Sequence, residues 1–398
     1  MIHFRDPIRR RVRLVAIAMV SALIAALGLG VSASGAAAAQ GNVLYAGGHF
    51  TAAGGVPASR IAAWDGVDWA ALKGPAGEGA DGMVDAMTFF RGKLIVAGSF
   101  VEAGGVTVSG IASWDGSQWA PLTGASGIPG VTVRPLGFVS DLQVYNGDLY
   151  VAGAFPRAGA TTTVNSIARW DGTEWHALNG PGGPGVLLQD RPTVIWDLTV
   201  HNGRLIAAGE FDSAGGVPSY NTAAWNGTTW SSLGMPARQS GGVMSMTVYN
   251  GALVAARYWV EDNVGFDHVL RYNGNSWTPM AGPGGAGFDE VPRALTVYRG
   301  QLIAGGDFNS AGGVAARALA RWNGNAWTAL PGGALDGPVY ALTVHNDTLV
   351  AGGWFSQAGG VTVNQIARWN GGTWSTLPGR AGVGTNDAVF ALLSGPAL

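Results

Sequence analysis

The sequence contains no cysteine among its 398 residues, which excludes thiolate catalysis, zinc–cysteine sites and stabilisation by disulfides. Charged residues are also scarce, at 12%, while 47% of the residues are hydrophobic, and this balance argues against a disordered chain. Glycine is abundant instead, with 65 residues. So many glycines in a chain that can fold indicate many tight turns between short strands.

Basic residues are few outside the N-terminus. The first 13 residues hold five of the 23 lysines and arginines and one of the 25 acidic residues, which leaves 18 basic and 24 acidic side chains and a formal charge of −6. A nucleic-acid binder needs clustered lysine and arginine to neutralise phosphates. We therefore expect no nucleic-acid partner.

Long apolar runs are confined to the N-terminus. A basic segment (1–13) is followed by an uncharged apolar segment (14–31) and by small residues that include Ala36-x-Ala38. This order predicts a secretory signal peptide over residues 1–39 and a secreted, extracellular protein; the cell surface and the periplasm are alternatives. An uncleaved membrane anchor is the other interpretation of the apolar run, and Arg9-Arg10-Arg11 leaves a twin-arginine export route open. After cleavage we expect no membrane association.

A repeat of about 50 residues fills the rest of the chain. Its most regular phrase is Trp-Asp/Asn-Gly-x-x-Trp. The phrase occurs at Trp64/Trp69, Trp114/Trp119, Trp170/Trp175, Trp225/Trp230, Trp322/Trp327 and Trp369/Trp374, and a seventh copy has Tyr272 and Trp277.

Each unit predicts four strands, A to D. Strand A often ends at Asn-Gly, as at Asn146-Gly147, which between two apolar runs is a strong hairpin signal because a type I′ turn needs positive φ at both positions. A longer loop with Ala-Gly-Gly-Val precedes strand C, and a second tight Asp-Gly or Asn-Gly turn leads to strand D. Such a sheet cannot bury both faces alone, so the units must stack. We interpret the paired aromatics beside the C–D turn as packing between units.

Stacking of these units predicts an all-β fold, a seven-bladed β-propeller of four-stranded antiparallel blades over residues 40–398. The first unit lacks strand A and begins with a strand B at 42–47, whereas residues 388–395 form a lone strand A after the last complete unit. We therefore expect blade 1 to be split between 42–72 and 388–398. The C-terminal strand would then close the ring and remove the exposed sheet edges. We expect a monomer.

The repeat resembles kelch-type repeats. A kelch unit has a diglycine ending strand B, an aromatic residue ending strand C and a tryptophan opening strand D; here these are, for example, Gly305–Gly306, Trp322 and Trp327. The likeness covers the chain after the signal peptide and departs at copies with Ala-Gly, such as Ala97-Gly98. The repeat looks still more like the Ala-Gly-Gly-Val/Trp-Asp-Gly propeller repeats of uncharacterised secreted bacterial proteins. The resemblance implies fold and location but little about activity.

Candidate site residues lie at positions where the repeats carry different residues. Residues that only maintain the scaffold should be the same in every repeat, whereas residues of a binding site should differ between repeats. Two positions vary most. The first ends strand B and holds His49, Ser99, Ala154, Glu210, Tyr258, Asp307 and Trp354. The second opens strand A and holds Asp85, Ser140, Trp196, Met244, Arg293, Tyr340 and Phe390. We expect both sets to form rings on the face that carries the B–C and D–A loops.

Ten of these residues are the candidate ligand-binding set, because acidic, basic and aromatic groups that converge at a pocket mouth are typical of a small-molecule or sugar site. They are Trp354, Tyr340, Phe390, Arg293, Asp307, Trp196, Glu210, Tyr258, His49 and Asp85. The alternative is that they are ordinary variable loop residues.

The B–C loop of the fifth unit (260–268) lacks Ala-Gly-Gly-Val and carries Glu261, Asp262, Asp267 and His268. These side chains are a weak candidate metal site whose spacing matches no strong motif, and drift in one repeat is the alternative. We predict no cofactor, because there is no P-loop, dinucleotide fingerprint or nucleophile elbow.

The preferred functional hypothesis is a non-catalytic extracellular binding or scaffold propeller that recognises a carbohydrate or a protein. The alternative is an enzyme acting on a sugar or polysaccharide, of mutarotase or lyase type, with its site at the channel mouth. An enzyme would need an acid–base pair there, for which Glu210 with Arg293 and Asp307 with Tyr340 are the candidates.

Overall fold

The computed structural model describes residues 42–398 except 134–136, 161, 190, 238–240, 262–263, 283–284 and 286, and it leaves out the side chains of 191–192 and 259–268. The predicted signal peptide therefore lies outside the described residues. The described chain is all-β, with strands, turns and bends and no helix. It contains no helix long and apolar enough to cross a membrane.

Seven antiparallel sheets carry the repeat, and in each of them strands A to D pair in that order. Sheet 1 has Val389–Gly395, Val43–Gly48, Ile61–Trp64 and Trp69–Ala71; sheet 2 has Val84–Phe90, Lys93–Gly98, Ile111–Trp114 and Trp119–Pro121; sheet 3 has Phe138–Tyr145, Asp148–Ala154, Ile167–Trp170 and Trp175–Ala177. Sheet 4 has Val194–His201, Arg204–Glu210, Thr222–Trp225 and Trp230–Ser232; sheet 5 has Gly241–Tyr249, Ala252–Glu261, Val264–Tyr272 and Trp277–Pro279. Sheet 6 has Pro292–Tyr298, Gln301–Gly306, Leu319–Trp322 and Trp327–Ala329; sheet 7 has Val339–His345, Thr348–Gly353, Ile366–Trp369 and Trp374–Ser375.

The loops contain further short strands, most of them of two residues. In six sheets the B–C loop folds into a small hairpin, such as Ala52–Ala53 with Val56–Pro57 in sheet 1. Sheet 5 differs, because its strands B and C continue to Glu261 and Val264, and Gly287–Phe288 adds to its strand C.

The A–B turns have the conformation that the sequence predicts. Asn146 and Gly147 both have positive φ, at 51° and 84°, and Asn202 and Gly203 have 48° and 69°. Because both central residues of a type I′ turn need positive φ, asparagine and glycine favour this hairpin.

The C–D turns form at the Asp-Gly and Asn-Gly positions that the sequence predicts. Trp64 pairs with Trp69, so the loop between them has four residues. Asp65 closes it, since its Oδ1 accepts the backbone N–H groups of Val67 and Asp68, both at 2.8 Å. The same side chain-to-backbone pattern occurs at Asp115, Asp171, Asn226, Asn273, Asn323 and Asn370. Aspartate and asparagine are therefore required here as turn acceptors, which sequence reasoning missed.

The aromatic pairs pack between sheets, as predicted. In each sheet the tryptophan of strand D donates through Nε1 to a backbone carbonyl in the loop that follows strand D of the preceding sheet, as Trp119 does to Leu72 at 3.1 Å. The corresponding donors are Trp175, Trp230, Trp277, Trp327, Trp374 and Trp69. The tryptophan of strand D thus fixes each sheet to its neighbour while burying a large apolar surface.

The hydrophobic core lies between consecutive sheets. One cluster, for example, joins Leu198 and Phe211 of sheet 4 to Tyr145 and Ile167 of sheet 3. Strand A of each sheet also contacts strand A of the next. Repeated four-stranded antiparallel sheets that pack face to face with their first strands together make a β-propeller.

Candidate functional site

The loops divide between two faces as the strand order requires. In sheet 2 the D–A loop residue Asp81 accepts the N–H groups of Val101 and Glu102 in the B–C loop, at 2.8 and 3.0 Å. On the other face, Arg91 of an A–B turn donates to the carbonyl of Asp171 in a C–D turn. The B–C and D–A loops therefore share one face, which we call the loop face.

The variable position of strand A is a β-bulge in all seven sheets. In sheet 2, Val84 pairs with Gly98 and Ala86 with Ala97, so Asp85 is the extra residue. The extra residues of the other sheets are Ser140, Trp196, Met244, Arg293, Tyr340 and Phe390. Because a bulge leaves its extra residue unpaired and re-aims the side chain, these seven positions share one backbone geometry.

The glycine that ends strand B makes room for this bulge. A Cβ on Gly98 would lie 2.1 Å from the carbonyl oxygen of Met83, and the equivalent glycines of five other sheets are as close to theirs. Sheet 5 reverses the arrangement, with Arg257 in strand B and Gly242 two residues before the bulge in strand A. The glycine at this position of strand B therefore has a steric cause in these six sheets.

Three candidates, Trp196, Glu210 and Tyr258, lie together with Phe138 and Met244, and we call these five residues the sheet 4–5 cluster. Glu210 Oε1 accepts hydrogen bonds from the hydroxyl of Tyr258 and from Trp196 Nε1, the latter at 3.3 Å. Phe138 stacks on Trp196, with ring centroids 5.5 Å apart. Met244 and Tyr258 pack against the same rings. The cluster combines a carboxylate with an apolar wall.

A second group, the sheet 6–1 cluster, contains Arg293, Asp307, Tyr340 and Phe390. Arg293 donates through Nε and Nη2 to Asp307 Oδ2, at 2.8 and 2.5 Å, and its guanidinium lies 5.5 Å from the ring centroid of Tyr340. The rings of Tyr340 and Phe390 are 5.3 Å apart. Burial raises the pKa of Tyr340 to about 12, so this phenol stays protonated at neutral pH.

The candidates His49 and Trp354 lie outside these two clusters, and both are exposed. His49 Nδ1 is 3.0 Å from Asp387 Oδ2, and both side chains are exposed. Trp354 is 63% exposed, whereas Trp196 is only 5% exposed. Phe138 covers the ring of Trp196, so of these two candidates only Trp354 exposes its ring.

Asp85 is 5% exposed, and burial raises its pKa to about 8. Two further buried aspartates, which sequence reasoning missed, follow the bulges of sheets 3 and 4. Asp141 Oδ2 accepts the N–H of Leu198 at 2.6 Å, and Asp197 Oδ2 accepts that of Met246 at 3.0 Å. The signal was available, because at this position sheets 1, 2, 6 and 7 have alanine.

The acid–base pairing expected of an enzyme is met only in part. Arg293 pairs with Asp307 and not with Glu210, because both belong to sheet 6 and face each other across the bulge. Asp307 and Tyr340 belong to one cluster, and the charge of Asp307 adds to the rise in the pKa of Tyr340.

The metal prediction remains open. Glu261 ends strand B of sheet 5 and Asp267 and His268 lie in its strand C, but their side chains are outside the described part of the chain, as is Asp262 altogether. Elsewhere among the described residues, no group of three or more histidine, aspartate or glutamate side chains could hold a metal ion.

Comparison with known proteins adds little to the site. No family model matches the chain, and no curated protein sequence matches it. Among solved structures, it is similar to the computationally designed Ika8 protein, with 13% identity and a TM-score of 0.43 over 83% of this chain and 96% of that chain. It is also similar to the Dos1 propeller, with 11% identity and a TM-score of 0.43 over 79% of this chain and 72% of that chain. Likenesses this weak carry no argument about what the chain binds.

Proposed function

We propose that this chain is a secreted, seven-bladed, closed β-propeller with kelch-like repeats that recognises a carbohydrate through its loop face, without catalysis. Export rests on the predicted signal peptide. Recognition by the loop face rests on one observation above all, the exposed ring of Trp354 at the end of strand B in sheet 7.

Contacts between the chain ends support the closed ring. Strand A of sheet 1 comes from the C-terminus and pairs with Val43–Gly48, with Ala46 opposite Leu392. Strand A of sheet 7 contacts that same C-terminal strand. Trp69 of sheet 1 donates to the carbonyl of Leu377, which lies two residues after strand D of sheet 7, at 3.2 Å. These contacts repeat between sheets 7 and 1 what occurs between the other sheets.

The distribution of exposed apolar side chains favours the loop face. Of the nine large hydrophobic residues exposed in the described chain, six belong to B–C or D–A loops or end strand B: Ile128, Leu188, Tyr220, Val314, Trp354 and Val361. Large exposed apolar side chains are therefore more frequent on the loop face than on the opposite face. An aromatic ring suits the apolar face of a sugar, because it offers a large rigid surface at a small cost in entropy.

A glycan array of the mature protein, repeated with Trp354→Ala, tests this proposal. We expect binding of at least one glycan class, and we expect Trp354→Ala to weaken it at least about tenfold, a loss of roughly 1.4 kcal/mol, without changing the melting temperature. The control is Trp322→Ala, which removes a buried framework ring and should destabilise the fold by roughly 3–5 kcal/mol. Binding that survives Trp354→Ala unchanged, or a protein ligand in place of any glycan, would overturn the carbohydrate assignment.

One observation favours the enzyme alternative. Asp85 is the extra residue of the bulge in sheet 2. Burial raises its pKa to about 8, so it could act as a general acid at neutral pH. This alternative predicts turnover of any bound sugar, monitored by NMR, that Asp85→Asn abolishes while binding persists. Binding without turnover in the unmodified protein supports the non-catalytic function.

A further inference from the structure

Sheets 4 and 5 meet where this chain departs most from its own repeat. Arg257 replaces the glycine that ends strand B in the six other sheets, and Gly242 compensates in strand A. A Cβ on Gly242 would lie 2.7 Å from Cγ of Glu210, so the missing side chain also leaves room for Glu210. Asp197, in place of the usual alanine, ties sheet 4 to Met246 of sheet 5. These unusual residues belong to different repeats, yet they lie together where sheets 4 and 5 pack. We infer that they form a functional site and are not unrelated substitutions.

Glu210 is the carboxylate at the interface between sheets 4 and 5. Both of its hydrogen bonds, from Tyr258 and Trp196, reach the same oxygen, Oε1. The side chain is partly buried, and it makes no other hydrogen bond or ion pair with the described residues. Two donors therefore orient the carboxylate, and its Oε2 keeps its full capacity to accept.

Among the described residues no cation pairs with Glu210, and the nearby Arg257, which precedes Tyr258 in strand B of sheet 5, is buried and donates to the carbonyl of Pro236. Phe138, Trp196 and Met244 form the apolar wall beside Glu210; Trp196 and Met244 are buried, and Phe138 is partly buried. A carboxylate beside an apolar wall interacts more strongly with an opposite charge than one in water, because the local dielectric is lower. Charge-assisted hydrogen bonds are also roughly twice as strong as neutral ones.

We propose that the sheet 4–5 cluster binds a small organic amine with an apolar body. The ammonium group donates to Glu210 Oε2, and the apolar body lies against the partly buried rings of Phe138 and Tyr258. The net negative charge of the chain after its basic N-terminus favours the approach of a cation. This site is separate from Trp354, and the inference does not depend on carbohydrate recognition.

Titration calorimetry with benzylamine and with benzyl alcohol tests the proposal, since the two probes share the same body and differ in charge. We expect saturable binding of benzylamine and at least about tenfold weaker binding of benzyl alcohol. Glu210→Gln keeps the shape and removes the charge, and it should abolish the preference for the amine. Equal affinities for the two probes, or a preference that survives Glu210→Gln, would overturn the proposal, as would the absence of saturable benzylamine binding at about 10 mM.

Two further variants separate this site from other effects. Tyr258→Phe removes one donor to Oε1 but keeps the carboxylate, so the preference for the amine should persist; if Glu210→Gln unfolds, a preference lost in Tyr258→Phe contradicts the proposal. Trp354→Ala should leave benzylamine binding unchanged. A loss of benzylamine binding in Trp354→Ala would mean that the probe uses the carbohydrate surface instead.

Discussion

At the scale of single residues, three buried carboxyl groups stand out on the inner strands. The side chain of Asp85 makes no hydrogen bond with another described residue, and burial alone raises its pKa. Burial is also the main cause of the raised pKa of Asp141, with repulsion from Asp197 second. Burial raises the pKa of Asp197 to about 8. A carboxyl group that resists ionisation links folding to pH.

This linkage makes a prediction for Asp85. Its folded pKa of about 8 exceeds the usual aspartate value of about 3.9, so the folded state binds more protons than the unfolded state between those values. Its contribution to stability is therefore complete below about pH 4 and is lost as the pH rises through about 8. The melting temperature should fall from pH 5 to pH 9, and Asp85→Asn should make that fall smaller.

The melting temperatures of the two proteins across this pH range check the prediction. Exposed acidic groups contribute equally to both curves, so their difference isolates Asp85. Parallel curves would show that Asp85 ionises freely in the folded protein.

The sequence identifies the positions of the site residues better than their environments. Variation among the repeats selected Glu210, Arg293 and Tyr340, and the structure puts each into a cluster of polar and aromatic side chains. It did not separate Trp196, which is buried, from Trp354, which is exposed. That difference depends on neighbours such as Phe138 from another sheet, and no local pattern reports such a contact.

At the scale of strands and turns, the short signals were informative where one residue type sets the backbone. Asn-Gly predicted the A–B turns because positive φ is needed there. The bulges left no such signal, since their extra residues are as different as Asp85 and Trp196. Only the glycine opposite marks them, and its role becomes visible when the strands are paired.

The bulge and the glycine together make a prediction for Gly98→Ala. The added Cβ would lie 2.1 Å from the carbonyl oxygen of Met83, which is backbone and cannot move aside cheaply. We expect a loss of roughly 1–3 kcal/mol in the free energy of unfolding, measured by urea denaturation. The control is Gly372→Ala, because a Cβ there would meet only Asn370 Oδ1 at 3.8 Å. A Gly98→Ala protein as stable as the control would show that strand A can adjust.

At the scale of the whole molecule, the repeat made the fold predictable. Seven copies of the Trp-Asp/Asn-Gly-x-x-Trp motif, one of them with tyrosine first, predicted the strand order of every sheet. The same tryptophan contact between sheets appears seven times. The long hairpin of sheet 5 was not predictable, because its loop departs from the repeat that supplied every other expectation. Repetition therefore predicts the scaffold, and the departures from it have to be read from the structure.

The closed ring requires that the C-terminal strand pairs with the N-terminal strand. The chain has no cysteine, so a designed disulfide tests it cleanly. Ala46 and Leu392 are direct partners across the two strands. Antiparallel partners have Cα atoms about 4.5–5.5 Å apart, within the range that a disulfide spans.

The deciding measurement is peptide mass spectrometry of the oxidised Ala46→Cys/Leu392→Cys protein, which reports whether the two segments are joined within one chain. The matched control is Ala46→Cys/Leu142→Cys, because Leu142 holds the equivalent position in sheet 3 and pairs with Val151. The account predicts an intrachain disulfide in the first protein and none in the control. An open first protein, or equal cross-linking in both, would contradict the closed ring.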